Sequence, residues 1–188
     1  MRNFVLGVIF TLLVLALAGY ALAVLGFLPT SADATPLAFE SRMAMTAADA
    51  SIERHAPRVN NPVPPLDENL IEGMKVYAMN CALCHGTLDN KPSPLEKSFY
   101  PAPPQLILDP LDDPEWHTYY AIRTGVRYTG MPAWNKALNE EEMWKVTAFL
   151  SRIQKLPPAV QDYWKKSFGV APPAPGSEKD GGHHHHDD

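Results

Sequence analysis

The stretch Asn80-Cys81-Ala82-Leu83-Cys84-His85-Gly86 holds the only two cysteines in a chain of 188 residues. They stand three apart, and a histidine follows the second at once. Four chemistries use cysteines in this pattern: a redox dithiol, half of a zinc site, a short disulfide, and covalent attachment of a haem. A thioredoxin-like dithiol needs a βαβ pattern around C-x-x-C. The flanks here are helical on one side and proline-rich on the other, with no strand-like alternation. Zinc needs four ligands, commonly from two C-x-x-C pairs or from one pair with two later histidines at close spacing. There is no second pair, and His117 stands alone downstream in the same region. A disulfide between Cys81 and Cys84 would close a very short loop and stabilise little.

The fourth chemistry uses every residue. C-x-x-C-H is the attachment signature of c-type haem. Each thiol adds to a haem vinyl group to form a thioether, and the adjacent imidazole meets the iron as proximal ligand. One helical turn brings both sulfurs to one edge of the macrocycle. The distal ligand must come from elsewhere. Met74 and Met143 fall on apolar helical stripes, where methionine fills cores. Met79 lies two residues before Cys81, too near to reach the opposite face. Met131 lies in a loop between Gly130 and Pro132, well downstream. A thioether presented from a stiff loop suits a distal ligand; the alternative is that Met131 covers apolar surface. The expected site is therefore one covalent haem c held by Cys81 and Cys84, with His85 and Met131 on the iron.

Working outward, Leu70, Ile71, Met74 and Tyr77 recur at helical spacing, which predicts a first domain helix over Asp67–Ala82. Glu68 and Glu72 sit in its early turns, where the helix dipole favours negative charge. Gly73 costs about 1 kcal/mol relative to Ala inside a helix, which makes sense if another helix crosses close to its backbone. Residues 86–112 read as loop, with five prolines between Pro92 and Pro104. A second helix is expected over Pro114–Thr124, with Asp113 as N-cap, Pro114 in the first turn and Gly125 closing it. After the loop "VRYTGMPAWNKAL", Asn139 and Glu142 resemble a capping box. Met143, Val146, Thr147, Leu150 and Ile153 then form the stripe of the last helix, with Trp144 beside it.

The two ends differ in kind from this region. Phe4 to Leu28 carries no charge and exceeds the roughly 20 residues needed to span a bilayer core. Arg2 alone precedes it, so the positive-inside rule keeps the N-terminus cytoplasmic and puts the rest on the periplasmic, outer side of an inner membrane. The competing reading is a cleaved signal at Ala32-Asp33-Ala34, but a signal core has only about 7–15 apolar residues. Residues 30–66 are expected to be a mostly solvated juxtamembrane helix followed by a proline-rich linker. Residues 1–29 would be the anchor, 67–168 the domain, and 169–188 a disordered Pro/Gly/His-rich tail. His183–His186 could bind divalent metal or be a purification tag, and are left out of the site. Net charge is −5, and no basic stripe runs along any segment, which argues against nucleic acid as a partner.

With these motifs in place, the chain resembles a membrane-anchored, monohaem class I c-type cytochrome of bacterial type. The resemblance covers about residues 67–156 and rests on "CALCH", on "TGMPAW", and on the flanking helices. It implies an all-α fold of three to four helices around one haem. It implies that Gly73 and Tyr77 meet the helix bearing Trp144, and that a proline carbonyl from Pro101, Pro103 or Pro104 orients His85. Trp134, Tyr128, Phe99 and Tyr100 are candidate pocket walls. Arg123, Arg127 or Tyr128 could meet haem propionates or simply face solvent. The expected function is one-electron transfer, as a membrane carrier or a cytochrome subunit of a respiratory complex. Redox proteins would dock briefly at the haem edge, and no small-molecule substrate is expected. The alternatives are a haem domain of a membrane oxidoreductase and a haem-free C-x-x-C thiol module.

Overall fold

A computed structural model describes residues 1–28, 30–31, 34 and 37–173. The chain divides into two compact units, residues 1–35 and 36–188. The first is one helix, α1 (Arg2–Val24), none of whose residues is buried. It is long and apolar enough to cross a membrane. A helix apolar all round that buries nothing in its own unit fits anchoring in lipid. Ala32 and Asp33 of the small-residue stretch, and the tail from Ala174 through His183–His186, lie outside the described residues.

The second unit is helical, with no strand among the described residues. Its elements are α2 (Ala38–His55), α3 (Asp67–Asn80), α4 (Ala82–His85), α5 (Glu115–Thr124), α6 (Glu140–Leu150) and α7 (Pro158–Phe168). The C-x-x-C-H region thus belongs to a small all-α unit, whose described residues from 67 onward hold four helices of ten residues or more: α3, α5, α6 and α7.

The centre of the domain is the crossing of α3 and α6. A Cβ built on Gly73 would stand 2.2 Å from the Lys145 carbonyl oxygen and 3.1 Å from Phe149 Cβ. Only a residue without a side chain admits that approach. One turn on, the Tyr77 ring meets Phe149 at 5.9 Å between centroids. At the rim of the crossing, Lys145 Nζ bridges Glu72 and Glu141, each at 2.5 Å. The N-terminus of α6 is a full capping box: Glu142 N donates to Asn139 Oδ1 and Asn139 N donates to Glu142 Oε2, both at 2.9 Å.

Helix α5 starts differently from its sequence expectation. Pro114 is extended (ψ 147°) and flanks the helix, and no side chain caps it. Asp113 instead lies 3.6 Å from His117 Nδ1. Tyr119 of α5 stacks on Trp144 of α6, with centroids 3.6 Å apart and planes 2° from parallel.

Helix α7 has no counterpart in the sequence expectation. Val160 and Trp164 are completely buried, and the Trp164 ring meets Phe149 at 5.9 Å and Phe168 at 6.1 Å. Pro158 opens the helix and Gly169, at φ +74°, closes it, the usual chemistry at each end. The apolar spacing Val160, Trp164, Phe168 was available in the sequence as a helix signal.

Upstream, α2 is largely exposed, with only Ser41, Ala48 and Ile52 half-buried. The first half of the proline-rich segment is fastened to the domain. Ala56 is buried, and Asn61 Nδ2 donates to Glu115 Oε2 at 2.6 Å and to the Trp144 carbonyl at 3.2 Å.

Candidate functional site

Helix α3 ends at Cys81 (φ −111°, ψ −35°), and the chain re-enters a single turn, α4. Cys84 N and His85 N both donate to the Cys81 carbonyl, at 3.1 and 2.9 Å. One turn therefore carries both thiols and the imidazole. Cys81 is buried and Cys84 half-buried, and neither is in a disulfide.

A one-turn helix leaves its carbonyls without helical partners, and three side chains supply them. Ser93 Oγ donates to the Leu83 carbonyl. Gln105 Nε2 donates to the Cys84 carbonyl at 3.2 Å. Tyr77 Oη, from the core of α3, reaches the carbonyls of His85 and Gly86, both at 2.8 Å. None of these three roles was read from the sequence. The available signal was a lone glutamine directly after Pro103-Pro104, in a stretch poor in backbone donors.

The His85 ring is oriented by a proline carbonyl, and the structure selects Pro104 from the three candidates: Nδ1 lies 2.9 Å from its oxygen. A carbonyl only accepts, so Nδ1 carries the proton and Nε2 keeps its lone pair. Burial holds the imidazole below its usual pKa, partly opposed by the bond to Pro104. The ring is thus a neutral imidazole with one nitrogen free, the state a metal-ligating histidine requires. Burial, with a smaller contribution from Cys84, pushes the Cys81 thiol up to about 12. A thioredoxin-like dithiol needs a βαβ frame, and the described residues hold no strand, so the thiol-module alternative finds no support here. Nor does zinc: among the described residues no group of three or more His, Cys, Asp or Glu is gathered as a metal site.

Met131 stands on a separate, tied loop. Val126 N donates to the Met131 carbonyl at 3.2 Å, Thr129 Oγ1 donates to the Val126 carbonyl at 2.7 Å, and Met131 N donates to Thr129 Oγ1 at 3.1 Å. Gly125, at φ +65°, ends α5 beneath this loop; a Cβ there would lie 2.6–2.7 Å from Pro132 C, Ala133 N and Met131 O. Phe99 lies flush against Gly130. Met131 is half-buried and packs on the apolar core to which Cys81 and Ala82 belong. Met74 and Met143 are buried core residues, as their helical stripes predict, and Met79 is 75 % exposed.

Among the candidate pocket walls, Trp134 packs on the core and Phe99 and Tyr100 are half-buried. Tyr128 is 91 % exposed, with the Arg127 guanidinium 6.0 Å from its ring centroid. Arg123 and Arg127 are exposed.

Two unpaired thiols and a neutral, carbonyl-oriented imidazole on one turn are a donor set that fits a covalently bound haem. This all-α unit with its C-x-x-C-H turn is a c-type cytochrome domain, with haem c as its cofactor. Residues 68–150 match the family model described as cytochrome C oxidase, cbb3-type, subunit III. No curated protein and no solved structure matches the chain significantly. The chemistry of the domain is haem-based electron transfer.

Proposed function

We propose that the chain is a membrane-anchored one-electron carrier, acting alone or as the cytochrome subunit of a respiratory oxidase. Cys81 and Cys84 would hold the haem as thioethers, and His85 Nε2 and Met131 Sδ would be its axial ligands. Haem c bound in this way supplies a one-electron Fe(III)/Fe(II) couple, with a potential raised by the thioether. The observation that carries the reading is the His85–Pro104 hydrogen bond, which leaves Nε2 as the only free ring nitrogen beside two unpaired cysteines. Each protein group then has one task. Pro104 fixes the tautomer and plane of His85, Tyr77 holds the carbonyl end of the turn, and the Gly125–Pro132 loop presents Met131. With His85 and Met131 both holding the iron, the haem would offer no site for a small-molecule substrate. α1 would keep the domain at the outer face of the inner membrane, where docking partners exchange electrons through the haem edge. The name of the matched family model is in keeping with an oxidase as the acceptor complex.

Absorption spectra test this on membranes from cells able to mature c-type haem. Wild type should show haem that survives denaturation and acid–acetone extraction, with a methionine–iron charge-transfer band. Met131→Ala should keep the covalent haem and lose the band. A wild type without covalent haem overturns the site. A band unchanged in the variant moves the distal ligand to another residue.

A further inference from the structure

The carbonyl that orients His85 belongs to a segment unable to anchor itself. Pro103 and Pro104 have no N–H, so neither residue can tie its own backbone to a neighbour as donor. The Gln105 side chain supplies the missing donor. Its Nε2 donates to the Pro103 carbonyl at 2.9 Å and to the Cys84 carbonyl at 3.2 Å. Its Oε1 accepts from Ser93 N at 2.6 Å. An amide N–H requires an oxygen opposite it, so the Ser93 contact sets which way the Gln105 amide faces and turns the NH2 toward the two carbonyls. The Gln105 backbone is itself held, since its carbonyl accepts from Leu108 N at 2.9 Å and Asp109 N at 2.8 Å.

The result is a closed loop of contacts. Cys84 precedes His85 in the chain, and Pro103 precedes Pro104. Gln105 bridges Cys84 to Pro103, and the His85 ring bridges to Pro104. The Nδ1–H···O=C bond is thereby one side of a frame whose opposite side is the Gln105 amide. A hydrogen bond to the second nitrogen of a ligating histidine raises its basicity, and a more basic ligand favours Fe(III). We infer that Gln105 is a positioning residue: by clamping the Pro104 carbonyl against His85 it holds the reduction potential down and keeps the imidazole plane fixed. The inference rests on His85 being the proximal ligand.

The test compares full-length, haem-loaded protein in detergent as wild type, Gln105→Met and Ser93→Ala. Gln105→Met is neutral, similar in length and loses all three contacts. Ser93→Ala removes the donor to the Leu83 carbonyl but keeps the Ser93 N–H on Gln105, so it loosens the turn without touching the clamp. Gln105→Met should raise the potential by a shift equal to about threefold in the Fe(II)/Fe(III) ratio, about 28 mV at about 59 mV per tenfold. The His85 Nδ1–H proton, followed by NMR, should exchange faster with solvent. Ser93→Ala should leave potential and exchange where they were. Wild-type values in Gln105→Met, or equal shifts in both variants, overturn the inference while leaving the haem site intact. Absence of covalent haem in wild type overturns the site reading, and the clamp with it. If Gln105→Met yields no loaded protein, wild type decides. One clamp opening should expose the Ser93 amide and the His85 Nδ1–H together, with protection factors within about tenfold of each other. A Ser93 amide protected far less than the ring proton refutes the clamp.

Discussion

Replacing Gly73 with alanine measures how closely the two central helices meet. The new Cβ would lie 2.2 Å from the Lys145 carbonyl oxygen and 2.6 Å from its carbon. Carbon–oxygen contacts in packed helices fall at about 3.3–3.6 Å, so α3 and α6 must part by about 1 Å. Both clashing atoms are helix backbone, and no side-chain rotation relieves them. Overpacking of this kind costs about 1–3 kcal/mol and occasionally more. Alanine recovers up to about 1 kcal/mol through helix propensity. The net loss should be about 0–2 kcal/mol, toward the upper end because backbone meets backbone. For a domain of this size that lowers Tm by about 4–8 °C per kcal/mol. Thermal unfolding of the loaded protein in detergent, followed by far-UV circular dichroism, reads it directly. A Gly73→Ala protein that melts at or above the wild-type temperature would refute the close crossing and leave helix propensity as the larger effect.

Other perturbations probe single contacts. Tyr77→Phe leaves the His85 and Gly86 carbonyls without their donor and should cost about 1–3 kcal/mol in denaturant titrations; an unchanged midpoint would mean that water replaces the hydroxyl. Asn139→Ala removes the capping box of α6 and should cost about 1 kcal/mol, seen as a lower denaturant midpoint with unchanged slope. Burial raises the Glu115 pKa, but Asn61, Arg152 and Ser151 together outweigh it and hold the carboxyl below its usual 4.5. A depressed carboxylate contributes stability above the unfolded value and loses it as pH falls through the folded one. Denaturant midpoints should therefore drop as pH goes below 4.5, and the drop should be shallower in Glu115→Gln. Equal slopes in the two proteins would show that other carboxylates carry the acid sensitivity. A chain with residues 1–36 replaced by a cleavable export signal should leave the membrane fraction with its haem still attached; retention in the membrane would call for a second attachment.

What the sequence determined is local. The turn that gathers Cys81, Cys84 and His85 needs only helical spacing, because residues three and four apart share a face. The apolar run of α1 and the Asn139–Glu142 box are likewise written in adjacent residues. Gly73 was legible as a close approach because a glycine inside a helix has a cost that something must offset. The stiffness of the loop around Met131 was legible from Gly130 and Pro132, though its ties to Gly125 and Phe99 were not.

The tertiary structure decided what depends on residues distant in the chain. It selected Pro104 over Pro101 and Pro103, because a carbonyl is identical in all three prolines and only its position relative to His85 differs. It pulled Asp113 away from capping, since Pro114 is extended and stands outside α5. It added α7, whose apolar stripe is buried only because Val160 and Trp164 meet the core around Phe149. It fastened Asn61 to Glu115 and Trp144, where composition alone reads as free linker. Above all it placed Tyr77, Ser93 and Gln105 on the carbonyls of one turn. The demand for those partners is written in the length of the turn, since a single turn cannot satisfy its own carbonyls. Which side chains meet it is a matter of long-range packing, and no spacing rule within the motif carries that information.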